Sequence, residues 1–375
     1  MDIRPVRSAR ELRRFIDFPY RLHARDPIWV PPLRRDVATL LSRRRNPFFE
    51  HAEAEYFLAE RNGRTVGRIA AIANRLHNEF HADRVGFFGC FESVNEQPVA
   101  DALGEAAATW LRAKGFDTMR GPVTLSTNDE AGVLVDGFDT PPVLMMPHNP
   151  PYYLPLLERA GFRKAKDLLV YQHGVLEGEA PPPPERLARG GRLIRERLGV
   201  SLRALRLREF AAEVERVKSL YNQAWMRNWG FVPLTEHEID HLASQFKPVV
   251  VPELVPFIEK DGQVVGFALA LPDLNSLLRH NRSGRLFPVM LRILWALKTR
   301  RIRRLRIALL GVLPEYQGKG LDALLYEWIW EQGRKLGYTW GEAGWILEDN
   351  TAMNAGLAKM GFTVYKTYRL LDRAL

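Results

Sequence analysis

Eleven residues near the end of the chain are ordered as a phosphate cradle requires. They run Leu313-Pro314-Glu315-Tyr316-Gln317-Gly318-Lys319-Gly320-Leu321-Asp322-Ala323. Before them lies LRIALLGV at 305–312, apolar nearly throughout, as expected of a central strand covered on both faces. After them a helical pattern runs from Leu321 to Leu336. Two glycines let successive backbone N–H groups converge with no Cβ in the way. The new helix adds its positive end and its unpaired amides. Strand, glycine turn and helix start together form a site for a pyrophosphate.

At these residues the chain resembles the GNAT superfamily of CoA-dependent N-acyltransferases. That family carries Gln/Arg-x-x-Gly-x-Gly/Ala at its pyrophosphate turn. The match falls on Gln317 and Gly320, with Gly318 and Lys319 between them and Leu321 opening the helix. The last small position is Asp322, a departure that would repel phosphate if its carboxylate pointed inward. Asn350, eleven residues before Gly361-Phe362, matches an Asn that the family sets against the pantetheine arm. The resemblance further implies that the strand edge at Leu310 and Val312 pairs with pantetheine. Acyl-CoA is then the expected co-substrate, with an acyl carrier protein as the other source of the same arm, and no metal is called for.

Attack of an amine on a thioester needs a neutral amine, hence a base, and a donor for the leaving thiolate. The family often places a Tyr seven residues after the Asn, but Leu357 stands there. Tyr365 and Tyr368 are the nearby substitutes, and Glu342, ahead of Trp345, is the first choice of base, with Glu348 second. Orientation of the reactants alone also accelerates such a step.

The elements that must position these groups come in two copies. Glu60-Arg61-Asn62-Gly63 reads as a hairpin turn, and Glu259-Lys260-Asp261-Gly262 repeats it 199 residues later. LLERAGF at 156–162 and GLAKMGF at 356–362 repeat at an offset of 200. A duplicated fold explains these offsets. The expected architecture is α/β with a mixed sheet in each of two tandem copies of the acyl-CoA N-acyltransferase fold. The division reads as 1–175 for a degenerate first copy, 176–191 for a proline-rich linker and 192–375 for the copy with the acyl-CoA site. The first copy's strand VGFFGCFE at 85–92 runs into Ser93-Val94-Asn95-Glu96-Gln97, without a glycine cradle.

Composition narrows the partners. The chain has 375 residues, 54 Lys+Arg against 44 Asp+Glu and one cysteine, so a disulfide framework is excluded and net charge is +10. LFPVMLRILWAL at 286–297, too short to span a membrane, runs into KTRRIRRLR at 298–306. Apolar residues with Phe and Trp leading into cations suit either an interfacial anchor or a buried helix with a solvated basic end. The expected function is acyl transfer to an amine acceptor, a small molecule or a lipid such as a sphingoid base, in the cytoplasm or at the inner face of its membrane. Nucleic acid is not an expected partner. Two rivals remain: a non-catalytic CoA-binding or membrane-associated module, and a tandem aminoacyl ligase that draws on tRNA.

Other motifs read as structure. His237-Glu238-Ile239-Asp240-His241 has zinc-protease spacing, but Thr235 and Glu238 form a capping box at the start of that helix. Asn128-Asp129-Glu130 and Asp136-Gly137-Phe138-Asp139 read as turn chemistry, and Cys90 as a small buried hydrophobe.

Overall fold

The computed structural model describes residues 1–375. By their contacts they divide into two units. The first holds Met1–Leu168, Leu277–Met290 and Lys366–Leu375; the second holds Leu169–Ser276 and Leu291–Tyr365. These bounds differ from a simple halving at 175: each half ends in a long strand whose last residues belong to the other unit, and the internal segment Leu277–Met290 belongs to the first.

The first half comprises β1 (Asp2–Pro5), α1 (Ala9–Leu22), α2 (Arg34–Leu40), β2 (Ala52–Arg61), β3 (Arg64–Asn74), α3 (Arg75–His81), β4 (Val85–Ser93), α4 (Gln97–Ala113), β5 (Thr118–Gly121), β6 (Val133–Asp136), α5 (Tyr153–Arg159) and β7 (Arg163–Gly174). The second comprises α6 (Glu185–Leu198), β8 (Ser201–Ala204), α7 (Phe210–Trp225), α8 (Glu236–Phe246), β9 (Pro256–Lys260), β10 (Gln263–Pro272), α9 (Asn275–Leu278), α10 (Val289–Lys298), β11 (Arg304–Val312), α11 (Leu321–Lys335), β12 (Trp340–Leu347), α12 (Thr351–Lys359) and β13 (Thr363–Ala374).

The repeat is visible in the backbone. Both hairpins turn through two residues at positive φ: Asn62 (50°) and Gly63 (73°), then Asp261 (50°) and Gly262 (78°). That is the two-residue turn whose twist suits antiparallel strands. In the first unit, α4 buries Val99, Leu103, Ala107 and Leu111, four residues apart, against Ile69, Ala71 and Phe88. Gly67 and Gly86 leave room for this helix: a Cβ there would come within 2.7 Å of Leu103 and 2.5 Å of Leu111. In the second unit, α7 and α8 cover Phe257 and Phe267 of the hairpin. On α11, Leu321, Leu324, Leu325 and Ile329 are buried.

The segment 176–191 is not extended throughout. The prolines 181–184 lie outside helix and strand, but α6 starts at Glu185 and buries Gly191, where a Cβ would lie 2.1 Å from Glu327. Pro184 stands at the N-cap, Glu185 occupies the first turn, and packing against α11 draws the rest into a helix. Thr235 and Glu238 form their capping box, each side chain accepting from the other's backbone N–H, at 3.2 and 2.8 Å.

Each unit contains one parallel strand pair that parts early. β11 and β12 share four rungs, from Arg304–Trp340 to Ile307–Ala343. β11 then continues for five residues without β12. On its other side the register with β10 slips: Leu269 faces Leu309 and Ala270 faces Ile307, so Ala308 is a bulge. In the first unit β4 and β5 share three rungs, from Val85–Thr118 to Phe87–Arg120, and the β3–β4 register slips between Arg68 and Ala70.

Candidate active site

The two partings differ in what enters them. In the first unit the chain itself turns in after β5. Val123 N–H donates to Phe88 O at 2.9 Å, and Cys90 Sγ lies 3.6 Å from Thr124 O. Val123 O occupies the space beside Gly89 so closely that a Cβ there would come within 1.5 Å of it. In the second unit β11 has only β10 and β12 as neighbours, so past Ile307 its β12-side edge is unpaired. Ala308, Leu309 and Leu310 are half-buried there.

At the end of that open edge lies the glycine turn. Gly318 (φ 72°) and Gly320 (φ 85°) hold backbone conformations that suit glycine, and Gly320 is the N-cap of α11. The N–H groups of Leu321, Asp322 and Ala323 have no acceptor within the chain, as at any bare helix start. Gln317, Gly318 and Lys319 are exposed. Lys260 and Lys319 set their ammonium groups 5.7 and 5.2 Å from the Tyr316 ring, placing two cations beside the turn. Asp322 stands in the first turn, where a carboxylate suits the helix dipole. Donors, cations and room beside Gly318 fit an anionic phosphate group.

Gln317 and Val312 differ in part from their expected roles. The Gln317 amide donates to Val312 O at 3.1 Å and Ala224 O at 3.3 Å, so it holds the turn against β11 and α7 and takes up the Val312 carbonyl. The side-chain oxygen of Asn350 accepts from Met353 N–H at 3.2 Å and caps α12. Leu357 is core.

At the closed end of the parting lies a buried charged pair. Arg306 and Glu342 face each other on the rung before the last. Arg306 Nε is 3.5 Å from Glu342 Oε1, and Arg306 Nη2 donates to Gly344 O at 3.0 Å. Tyr365 donates its hydroxyl to Glu342 Oε2, and its ring meets Trp340 edge-on at 5.7 Å. Beside them Arg304 pairs with buried Asp273 at 3.2 Å and stacks over Trp340 at 4.3 Å. Glu342 is 0% exposed. Burial pushes its carboxyl up to about 7, with Asp273 adding to the effect and Arg306 and Tyr365 opposing it. Oε1 accepts no hydrogen bond, so a lone pair is left for an incoming proton.

Glu342 and Tyr365 are thus brought together by a direct hydrogen bond. Tyr368 serves elsewhere: fully buried in the first unit, it donates to Pro147 O at 2.9 Å. In the sequence Arg306 falls both in the apolar strand 305–312 and at the end of the basic run 298–306, and neither placement gives it a partner at the site. Its signal was a charge alternating with Leu305 and Ile307 inside an apolar strand.

Residues 214–362 match the acetyltransferase (GNAT) family. Over its whole length the chain is 39% identical to the bacterial ceramide synthase of Caulobacter vibrioides (strain NA1000 / CB15N), covering 98% of that protein. This chain belongs to the GNAT family. It is also 34% identical to protein YghO of Escherichia coli (strain K12), over 100% of this chain and 95% of that one. A tandem GNAT protein from the clavulanic acid biosynthesis pathway shares the fold at a TM-score of 0.59. That match has 14% identity and covers 100% of this chain and 98% of the other. The duplicated, mixed α/β fold expected from the repeats is therefore the tandem GNAT fold.

Proposed function

We propose that the second unit transfers an acyl group from an acyl-CoA thioester to an amine, and that the amine belongs to a lipid, with a sphingoid base as the first candidate. The observation that carries this reading is the position of Glu342. A buried carboxyl pushed up to about 7 stands one rung inside the point where β11 and β12 separate. A base with that affinity holds little charge cost at neutral pH and still accepts a proton from an ammonium or a developing amine adduct.

The co-substrate supplies an activated acyl thioester. The amides of Leu321–Ala323, with Gly318, Lys319 and Gly320, receive its pyrophosphate. The free edge of β11 at Ala308–Leu310 offers backbone groups to the pantetheine amides and N–H donors to the thioester oxygen. Glu342 Oε1 takes the amine proton, while Arg306 fixes the carboxylate and Tyr365 O–H, hydrogen-bonded to Oε2, serves proton return to the leaving thiolate. The lipid acceptor is supported by the full-length likeness to a protein named bacterial ceramide synthase.

The test is thiol release by the purified protein, measured with acyl-CoAs of increasing chain length, with and without a sphingoid base. Amine-dependent release that rises with chain length supports the reading. Release from acyl carrier protein thioesters alone reassigns the donor. No amine-dependent release from any donor overturns it.

A further inference from the structure

We propose that the exposed face of α10 docks the protein onto an anionic lipid bilayer. The helix has two unlike sides. Val289, Ile293 and Ala296 are buried at 2–4% exposure and anchor it to the protein. Leu291, Leu294, Trp295 and Lys298 follow the i, i+3, i+4, i+7 spacing of one stripe. Leu291, Leu294 and Trp295 are 57%, 47% and 52% exposed. Phe287, just ahead of the helix, is 64% exposed. About half of the surface of these large apolar side chains therefore stays open to solvent, a contiguous exposed apolar stripe of the kind that marks an interaction site.

Charge names the occupant. Ten Arg and Lys and no Asp or Glu lie between Asp273 and Glu315, and the net charge of the whole protein is +10. By sequence the remainder of the chain is therefore electrically balanced; of these ten, Arg304 and Arg306 pair with Asp273 and Glu342, while Arg292, Lys298, Arg300 and Arg301 lie on the helix or just after it. Arg292, Lys298, Arg300 and Arg301 are exposed and form no ion pair. The Arg301 guanidinium stacks on Trp295, 4.4 Å from its ring, so cation and aromatic present one surface. An apolar stripe with Trp, rimmed only by cations, matches the boundary between acyl chains and anionic headgroups. An acidic protein partner would leave the Leu and Trp stripe in contact with polar groups, and a second copy would bring like charges together.

The helix has ten residues, about 15 Å of rise, so it lies in the interface and does not span. No helix of the chain is long and apolar enough to cross a membrane.

This inference does not depend on the acyl-transfer reading, because its assay contains no donor and no acceptor. The full-length protein is sedimented with vesicles of phosphatidylcholine alone and of phosphatidylcholine mixed with phosphatidylglycerol. We expect binding at least tenfold stronger to the anionic vesicles, weakened severalfold between 0.05 and about 0.5 M salt as screening shortens the reach of the charges. L291E/W295E should abolish sedimentation with vesicles. R292E/K298E should remove the preference for phosphatidylglycerol and leave a weak, salt-insensitive remainder. All four positions are exposed, and an unchanged melting curve verifies the fold of each variant. Equal binding by wild type and L291E/W295E overturns the proposal. So does sedimentation velocity showing a dimer that only L291E/W295E dissociates, since the face would then cover a second copy.

Discussion

Arg306 and Glu342 stand side by side on parallel strands, Nε 3.5 Å from Oε1, at 5% and 0% exposure. Removing two charges from water costs several kcal/mol per ion, and their attraction offsets this only with good geometry and further hydrogen bonds. Here Gly344 O takes one Arg306 nitrogen and Tyr365 donates to one carboxylate oxygen. Oε1 receives no hydrogen bond. The pair is therefore incompletely compensated, and burial leaves the carboxyl at about 7 instead of its ordinary 4.5. It lies where the parting of β11 and β12 begins, one rung inside the unpaired edge of β11.

The rate of acyl transfer should follow this titration. With Glu342 as base, kcat/KM rises with pH and levels off above about 7. Glu342→Gln keeps the shape of the side chain and removes the base. Its activity should fall about 100-fold or more, with the limb near 7 gone. A profile unchanged in E342Q would exclude Glu342 from proton transfer.

The same carboxyl links stability to pH. Its folded value lies above its unfolded one, so the folded chain holds the proton more tightly. The associated stability is complete below 4.5 and is lost as pH rises through about 7. That span corresponds to about 3 kcal/mol. Denaturant melts between pH 5 and 8 should show the loss in wild type and a flatter curve in E342Q. Arg306→Gln removes the main force lowering this carboxyl, so the kinetic limb should move to higher pH. An R306Q limb unmoved from about 7 would mean that the pair does not set the titration.

Much of this was legible in the chain. The glycine turn, both hairpins and the repeat could be read because each depends on local spacing. Asn62-Gly63 and Asp261-Gly262 need no partner to specify their turns. Glu342 and Tyr365 could be named, but their meeting could not be read, since it depends on the β12 register and on where β13 returns. Arg306 was hidden because its burial follows from a strand pairing that the local basic run obscures. Tyr368, three residues after Tyr365, has the same chemistry, yet its hydroxyl goes to Pro147. Only the tertiary fold separates those two tyrosines. The helix at Glu185 was masked by the four prolines before it.

Gly318 offers a clean probe of the cradle. A Cβ there meets nothing within 4 Å, whereas at Gly320 it would come within 2.7 Å of Ile194 on α6. Gly318→Ala therefore adds only the cost of φ 72° for a residue with a side chain, about 1–2 kcal/mol. Relaxation of that strain turns the amides away, so KM for acyl-CoA should rise about tenfold with kcat little changed. Gly320→Ala should disturb α6 as well and lower the melting temperature further. If G318A binds the donor as wild type does, phosphate is not held at this turn.

The first unit should bind no donor. Its β4 edge is already occupied, with Val123 N–H on Phe88 O at 2.9 Å and Val123 O filling the space above Gly89. Donor pantetheine would need the same edge. Calorimetric titration with CoA should therefore give one site per chain, and G318A should weaken that single site without exposing another. Gly89→Ala should destabilise the protein by about 3 kcal/mol or more, because its methyl group would lie 1.5 Å from a backbone oxygen that cannot move without unpairing Val123. A stoichiometry of two would require Pro122–Thr124 to leave the parting. G89A would then favour the second site, raising its affinity as it displaces the segment.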